Sequence, residues 1–252
     1  MELKILIISM TSCSGCISTL FSLDIFPQFF EKTKIAYFPF ITDEEKLDIY
    51  DIALIEGCIT QESQIRLIQE VRRAAKKVYS LGSCAAFGGI INLSKKKEGE
   101  PLSNYIEVDG IIPGCPPPSS LFGNCLINLL ENKMIKLSNK NQCYSCPLRD
   151  GLDYEYKTKI TDLIPNNRDF NSTQNPKCFL TRGILCLGPV TREGCENKCI
   201  IRGMPCEGCL GSPSKSLYSN IYNFLSLLNL SDDLKTYKGI FYRYSKPLLI
   251  KR

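Results

Sequence analysis

The sequence contains no histidine among its 252 residues. This absence removes the side chain that most often acts as a general acid or base near neutral pH, and it removes the usual nitrogen ligand of metal sites. Zinc sites that combine cysteine with histidine are therefore excluded. Any metal must be held by thiolate alone, which leaves zinc and iron–sulfur clusters as the candidates.

Long apolar runs and clustered charge are missing as well. No apolar stretch reaches the roughly 20 residues that a helix needs to cross a bilayer, so we expect no membrane span. The net charge of +5 is not concentrated in a basic stripe with interleaved aromatic residues, which argues against nucleic acid as a partner. The apolar start MELKILIISM (1–10) lacks a cleavage-site pattern and is typical of a strand, so we expect a cytoplasmic protein.

Cysteine, in contrast, is abundant, with 14 residues. Thiols stay reduced in the cytoplasm, where dense cysteine spacing favours metal binding over disulfides. The size of the chain and the missing export signal also argue against a secreted protein held together by disulfides. We therefore expect most of these cysteines to be metal ligands.

The first part of the sequence alternates between β-rich runs and helical patterns. The β-rich runs are 4–10, 34–40, 51–57, 78–82 and 108–114, and the helical patterns are 17–30, 62–77 and 116–133. This alternation is typical of an α/β domain and predicts a flavodoxin-like parallel sheet flanked by helices.

A polar linker, 137–142, separates this region from a segment of different character. Residues 143–213 hold eight cysteines with many glycines and prolines, which predicts a small irregular domain that folds around its metal. An amphipathic helix over 216–230 is expected to pack on the chain's own core. The predicted organisation is a flavodoxin-like domain (1–136), a cysteine-rich iron–sulfur domain (143–213), and a C-terminal helix and tail (214–252).

Five cysteines follow predicted strands of the first domain. Cys13 and Cys16 follow the first strand, Cys58 the third, Cys84 the fourth and Cys115 the last. Ligands in open α/β sheets collect beyond the carboxyl ends of the strands, so these thiols should converge on one edge. One short pair with single cysteines fits a zinc site poorly and favours an iron–sulfur cluster. Cys58 is left outside the predicted ligand set.

The remaining cysteines, apart from Cys125, lie in the cysteine-rich segment. In chain order they form two sets of four: Cys143, Cys146, Cys178 and Cys186, then Cys195, Cys199, Cys206 and Cys209. The two sets could also differ by an exchange of neighbouring members, for instance Cys186 with Cys195. These sets alone are compatible with zinc or iron–sulfur, and their combination with the strand-end set favours iron–sulfur. Cys125 lies within a predicted apolar helix and is interpreted as a core thiol.

Four motifs together resemble the small subunit of nickel–iron hydrogenases over nearly the whole chain. They are CSGC (13–16), GSCAAFGG (82–89), IIPGCPPP (111–118) and CLGP…PCEGC (186–209). The resemblance implies a proximal 4Fe-4S cluster held by Cys13, Cys16, Cys84 and Cys115. It also matches Glu56 to a glutamate near that cluster and the subunit boundary, for which a proton-transfer role and a purely structural role both stay open.

The cysteine-rich segment departs from the respiratory branch of that family. Cys143 stands where that branch has a histidine, and the medial set offers four thiols instead of three. The resemblance therefore implies three 4Fe-4S clusters, the distal one on Cys143, Cys146, Cys178 and Cys186 and the medial one on Cys195, Cys199, Cys206 and Cys209. The viologen-reducing and sulfhydrogenase-type cytosolic groups are the most similar.

The function that the resemblance implies is electron relay without a catalytic residue in this chain. Hydrogen would be split or formed at a nickel–iron centre in a separate large subunit, and electrons would pass to a soluble redox subunit or carrier. Two alternatives remain. The cluster subunit of complex I-type oxidoreductases typically has two adjacent cysteines at the CSGC position and lacks the eight-cysteine segment, and a zinc-stabilised binding module would have no redox chemistry.

Overall fold

The computed structural model of the chain describes most of the sequence. The described residues are 2–42, 47–93, 99–149, 159–165, 177–214, 217–235 and 243–244, and for residues 92, 217–220 and 222 the description is limited to the backbone. Parts of the predicted cysteine-rich segment and most of the predicted C-terminal tail lie outside the described residues. The described residues divide into two compact units, the first comprising those within 2–136 together with Tyr244 and the second comprising those within Leu137–Arg243.

The first unit is built on a five-stranded sheet. Its strands are β1 (Leu3–Ser9), β2 (Thr33–Tyr37), β3 (Tyr50–Glu56), β4 (Ala75–Leu81) and β5 (Gly110–Ile112). Its helices are α1 (Gly15–Phe21), α2 (Phe26–Glu31), α3 (Glu62–Ala74), α4 (Gly82–Phe87) and α5 (Ser119–Leu130). The strand order is β2-β1-β3-β4-β5 and every neighbouring pair is parallel. This is the flavodoxin-like order, which confirms the predicted fold class.

Both faces of this sheet are covered by helices. Every side chain from Ile5 to Ile8 in β1 and from Ile52 to Ile55 in β3 is buried. Successive side chains of a strand point to opposite faces, so one set packs with α1, α2 and α5 and the other with α3. Continuous apolar runs are typical of parallel strands for this reason, whereas a strand with one solvated face would alternate.

Several helix boundaries differ from the sequence prediction, and the helix predicted over 116–133 spans only Ser119–Leu130. The helix predicted over 17–30 is two short helices, α1 and α2, and Pro27 lies in the first turn of α2. Proline has no N–H to donate, so it is tolerated in a first turn and not inside a continuous helix. The helix predicted over 62–77 ends earlier, because Ala75 is extended and pairs with Tyr50 in the sheet.

The second unit has short elements joined by turns. Its described elements are β6 (Lys159–Ile160), α6 (Lys198–Ile201), α7 (Leu217–Leu227), β7 (Asn229–Leu230) and α8 (Asp232–Lys235), with 3-10 turns at Gln142–Ser145, Leu180–Arg182 and Gly188–Val190. β6 and β7 form a parallel pair. This irregular architecture agrees with the low periodicity of the sequence in that region.

The longest helix of the second unit, α7, packs on an apolar core within the same unit. Ile221 and Phe224 are buried together with Leu187 and Val190. This confirms the expectation that the amphipathic helix covers the chain's own core. Within the described ranges, no helix has the length and apolar character that crossing a membrane requires.

Candidate metal centres

The predicted ligands of the first unit lie at the carboxyl edge of its sheet. Cys13 and Cys16 follow β1. Cys84 lies in α4, which begins directly after β4, and Cys115 follows β5. A backbone hydrogen bond of 2.8 Å joins the start of α4 to the loop before Cys115. Burial and then Glu56 raise the pKa of Cys16, with smaller contributions from Cys84 and Cys115, while burial and then Cys13 raise the pKa of Cys115. The thiols are therefore near enough to affect one another. The structure therefore brings the four predicted ligands together.

Two glycines provide the space that these sulfurs occupy. A Cβ atom added to Gly82 would overlap with the Cys16 Sγ, and one added to Gly89 would overlap with the Cys84 Sγ. Both glycines also have positive φ angles, +82° and +71°, which residues with a Cβ rarely adopt. Bare backbone therefore lies against the thiols, and this close approach fits a cluster whose sulfurs accept hydrogen bonds from backbone N–H groups.

Buried thiols of this group do not ionise readily unless a positive charge compensates the thiolates. Burial raises the pKa of Cys84 to about 12, with neighbouring cysteines adding to the effect, and burial raises the pKa of Cys16 strongly. Metal binding would displace these protons, because thiolate is the binding form. Cys13 and Cys115 are exposed whereas Cys16 is buried, so the group is open to solvent on one side in this chain alone.

A buried carboxylate, Glu56 at the end of β3, is part of the same edge. Its Oε1 accepts a hydrogen bond from the N–H of Cys16 at 2.9 Å. Its Oε2 accepts from the hydroxyls of Ser9 at 2.9 Å and Ser12 at 3.3 Å. Sequence reasoning missed both serines. The contact with Ser9 follows from the register of β1 and β3, which places Ser9 opposite Glu56.

Two cysteines of the first set in the second unit lie against a glycine. Cys143 and Cys146 lie at a 3-10 turn, and a Cβ added to Gly188 would lie 3.3 Å from the Cys143 Sγ and 3.5 Å from the Cys186 Sγ. Burial raises the pKa of Cys143 to about 12, and Cys186, Cys146 and Cys178 raise it further. The three thiols that act on Cys143 are therefore the other three members of its predicted set.

The second cysteine set lies beside the first. Burial and then Cys195 raise the pKa of Cys199, while burial followed by Cys186 and Cys209 raises that of Cys206. The N–H of Cys206 also donates to the Cys186 Sγ at 3.3 Å, so the two sets adjoin at this pair. In the second set, Cys195 therefore neighbours Cys199 and Cys209 neighbours Cys206, and Cys206 contacts Cys186 of the first set. The partition of the eight cysteines into two sets of four stays a prediction.

Comparison with known proteins identifies the family. A family model described as "NADH ubiquinone oxidoreductase, 20 Kd subunit" matches residues 13–129. A subunit of the F420-non-reducing hydrogenase of Methanocaldococcus jannaschii is 33% identical over 253 residues, covering 86% of this chain and 84% of that protein. The chain belongs to the hydrogenase iron–sulfur subunits of the viologen-reducing group. This confirms the family that the four sequence motifs indicated.

Two further similarities support this hydrogenase subunit assignment and its fold. The sulfhydrogenase 2 subunit delta of Pyrococcus furiosus is 26% identical over 245 residues, covering 90% of this chain and 92% of that protein. A chain of the actinobacterial-type NiFe-hydrogenase from Ralstonia eutropha H16 superposes with a TM-score of 0.63 at 17% identity, covering 99% of this chain and 86% of that one. The latter similarity concerns the fold.

The complex I-type alternative accounts for only part of this hydrogenase subunit. The family model that carries that name ends at residue 129, inside the first unit. Similarity to the methanogen relative covers 86% of the chain and so continues into the second unit, where eight of the cysteines lie. The alternative is therefore not favoured.

The cysteines of the hydrogenase subunit do not converge on single points. In the described part of the chain, no group of three or more Cys, Asp or Glu side chains is arranged to hold one metal ion. A zinc site would place four ligands within about 2.3 Å of one ion. In a 4Fe-4S cluster each thiolate binds a different iron, so its four sulfurs can lie farther apart.

Two cysteines of the first unit, Cys58 and Cys125, lie outside the predicted ligand set. Cys58 is fully buried and its thiol donates to the Thr11 carbonyl at 3.6 Å, and burial raises its pKa to about 11. Cys58 lies close enough to Cys84 to raise the pKa of that thiol, so it neighbours the predicted ligand set. Cys125 lies in the apolar core with α5, as expected of a core thiol.

Two buried amides connect the cysteine loops of the second unit, and sequence reasoning missed them. The Gln142 Nε2 donates to the Asn197 Oδ1 at 2.7 Å, and the Asn197 Nδ2 donates to the Ser145 carbonyl at 2.7 Å. The thiol of Cys195 donates to the Gln142 Oε1 at 3.4 Å. The only sequence signal is that Gln142 immediately precedes a predicted ligand. These bonds hold the loops of both cysteine sets in one arrangement.

Proposed function

We propose that this chain relays electrons through three 4Fe-4S clusters, between a nickel–iron centre in a separate large subunit and a soluble redox partner. The grouping of twelve cysteines carries the proposal. The thiols of the first group lie near one another although about a hundred residues of sequence separate Cys13 from Cys115, and Cys143 neighbours the other three members of its group. In the third group Cys195 neighbours Cys199 and Cys209 neighbours Cys206. Membership of the hydrogenase iron–sulfur subunit family supports the same function.

Each group would hold one cluster. The ligands would be Cys13, Cys16, Cys84 and Cys115 for the proximal cluster, Cys143, Cys146, Cys178 and Cys186 for the distal cluster, and Cys195, Cys199, Cys206 and Cys209 for the medial cluster. A 4Fe-4S cluster supplies one-electron chemistry. The chain's own residues would bind it by thiolate, shield it by burial and offer it backbone N–H groups.

Hydrogen chemistry itself would take place in another subunit. The relatives are named as subunits of a hydrogenase and a sulfhydrogenase, and we propose that this chain likewise assembles with a large subunit. The electron acceptor would be a further redox subunit or a carrier, in the cytoplasm. No side chain of this chain would act on hydrogen, so its role is to bind, orient and insulate the clusters.

Metal and sulfide analysis of the anaerobically purified complex tests this function. About twelve irons with matching acid-labile sulfide per chain, and EPR signals of three reduced clusters, are expected. Two or three zinc ions without sulfide would refute the relay and leave a zinc-stabilised binding module. Four irons would limit the chain to a single cluster and refute the three-cluster path.

A further inference from the structure

Glu56 is the one carboxylate or cationic side chain that is buried within the described ranges, with 1% of its surface exposed. Burying a charge is costly unless it is paired or hydrogen-bonded, so its position calls for an explanation. The pairing of β1 with β3 carries Glu56 to the carboxyl edge of the sheet, where the first group of cysteines lies.

The side-chain hydrogen bonds of Glu56 come from Ser9, Ser12 and Cys16, at the end of β1 and in the loop that carries Cys13 and Cys16. The three donors are the Cys16 N–H and the hydroxyls of Ser9 and Ser12, at 2.9, 2.9 and 3.3 Å. A carboxylate that accepts from three donors matches the hydrogen-bonding capacity of its ionised form. None of the three donors is a cation, so these contacts stabilise the negative charge without neutralising it.

The contact with the Cys16 N–H lies in the first turn of α1. Backbone donors there have no partner within the helix, and the residue before α1, Ser14, provides no side-chain hydrogen bond. Glu56 supplies an acceptor from another strand. The carboxylate therefore fixes the backbone of Cys16 relative to the sheet.

We propose that Glu56 is a positioning residue that holds the Cys13–Cys16 loop and lowers the reduction potential of the cluster bound there. This inference rests on the proposed function, since it takes Cys16 as a cluster ligand. Reduction adds one electron to the cluster, and an uncompensated carboxylate beside Cys16 opposes the added negative charge in a poorly screened interior.

The test is a redox titration of the intact complex followed by EPR. Glu56→Gln removes the charge and keeps side-chain atoms that can hydrogen-bond. At the ambient potential where the wild-type proximal cluster is half reduced, we expect its ratio of reduced to oxidised form to rise about tenfold, equivalent to about 59 mV for one electron. An unchanged midpoint with full iron content would overturn the proposal.

Glu31→Gln is the matched control. Glu31 is exposed at the end of α2, just before β2 begins, and so lies toward the amino edge of the parallel sheet. We expect its removal to leave the midpoint unchanged. A shift as large as that of Glu56→Gln would show a non-specific charge effect and would also overturn the proposal.

A second variant keeps the test decisive if Glu56→Gln loses its proximal cluster. Glu56→Asp retains the charge with a shorter reach, so we expect reduced cluster occupancy and a wild-type midpoint in the fraction that is loaded. A raised midpoint in Glu56→Asp would refute the electrostatic role. Wild-type complex without three clusters would instead refute the proposed function, before any variant is compared.

Discussion

Gly82→Ala adds one methyl group at the junction of β4 and α4, beside a proposed cluster ligand. The added Cβ would overlap with the Cys16 Sγ, and the φ angle of Gly82 is +82°. Strand pairing on one side and α4 on the other fix this backbone angle. We therefore expect the sulfur of Cys16 to be displaced and the proximal group to lose its geometry.

The expected cost has two parts. A residue with a Cβ in the left-handed region loses about 1–2 kcal/mol relative to glycine. Forcing an extra methyl group into a packed site costs roughly a further 1–3 kcal/mol, because neighbouring atoms must shift. The total is a substantial fraction of the stability of an ordinary domain, which is about 5–15 kcal/mol. The loss of one ligand position should be more visible than this destabilisation.

The assay is iron per chain in the purified complex, together with its thermal unfolding temperature. Gly123→Ala provides a matched control, because Gly123 lies inside α5 and its added Cβ would make an ordinary 3.7 Å contact. Helix propensity should make that control more stable by about 0.5–1 kcal/mol. Gly82→Ala should lose about four irons and unfold at a lower temperature. Full iron content with an unchanged unfolding temperature would refute the reasoning.

Three further experiments probe other parts of the chain. Cys16→Ser should remove about four irons and stop hydrogen-dependent dye reduction, and undiminished dye reduction would contradict the ligand assignment. Cys125→Ala should keep the iron content and the dye reduction, and should lower the free energy of unfolding only through lost packing, on the order of 1 kcal/mol. Asn197→Ala leaves the buried amide of Gln142 without its partner, so the free energy of unfolding in urea should fall by about 1–3 kcal/mol, and an unchanged value would exclude a stabilising role. Burial opposes ionisation of Asp109, yet a backbone N–H and an arginine hold its pKa below the ordinary 3.8. Asp109→Asn should therefore cost about 1 kcal/mol at neutral pH. That difference should vanish as the pH falls through the lowered pKa, and its persistence in acid would contradict this reading.

The sheet and its cysteine edge were predictable because their signals are local. The runs Ile5–Ile8 and Ile52–Ile55 are continuous and apolar, which indicates strands covered on both faces. Cysteines placed directly after such runs must lie at one edge of a parallel sheet, whatever the order of its strands. The exact order needed the structure, because the pairing of β1 with both β2 and β3 depends on the whole core.

The hydrogen bonds that support the cysteines were not predictable for the opposite reason. Glu56 and Cys16 are 40 residues apart, and Gln142 and Asn197 are 55 apart. Neither pair forms a motif, since each depends on the final register of strands or loops. The end of α3 was missed because Ala75 has good helix propensity, and its pairing in the sheet overrides that preference.

The direct passage from β4 into α4 bears on how fast electrons could move. Cys84 lies in the first turns of a helix that starts where a paired strand stops, so little backbone between them can rearrange. A ligand anchored in this way would keep nearly the same position in the oxidised and reduced forms of a cluster. The reorganisation energy of electron transfer would then be small, and we expect rapid exchange with a neighbouring carrier even when the driving force is slight.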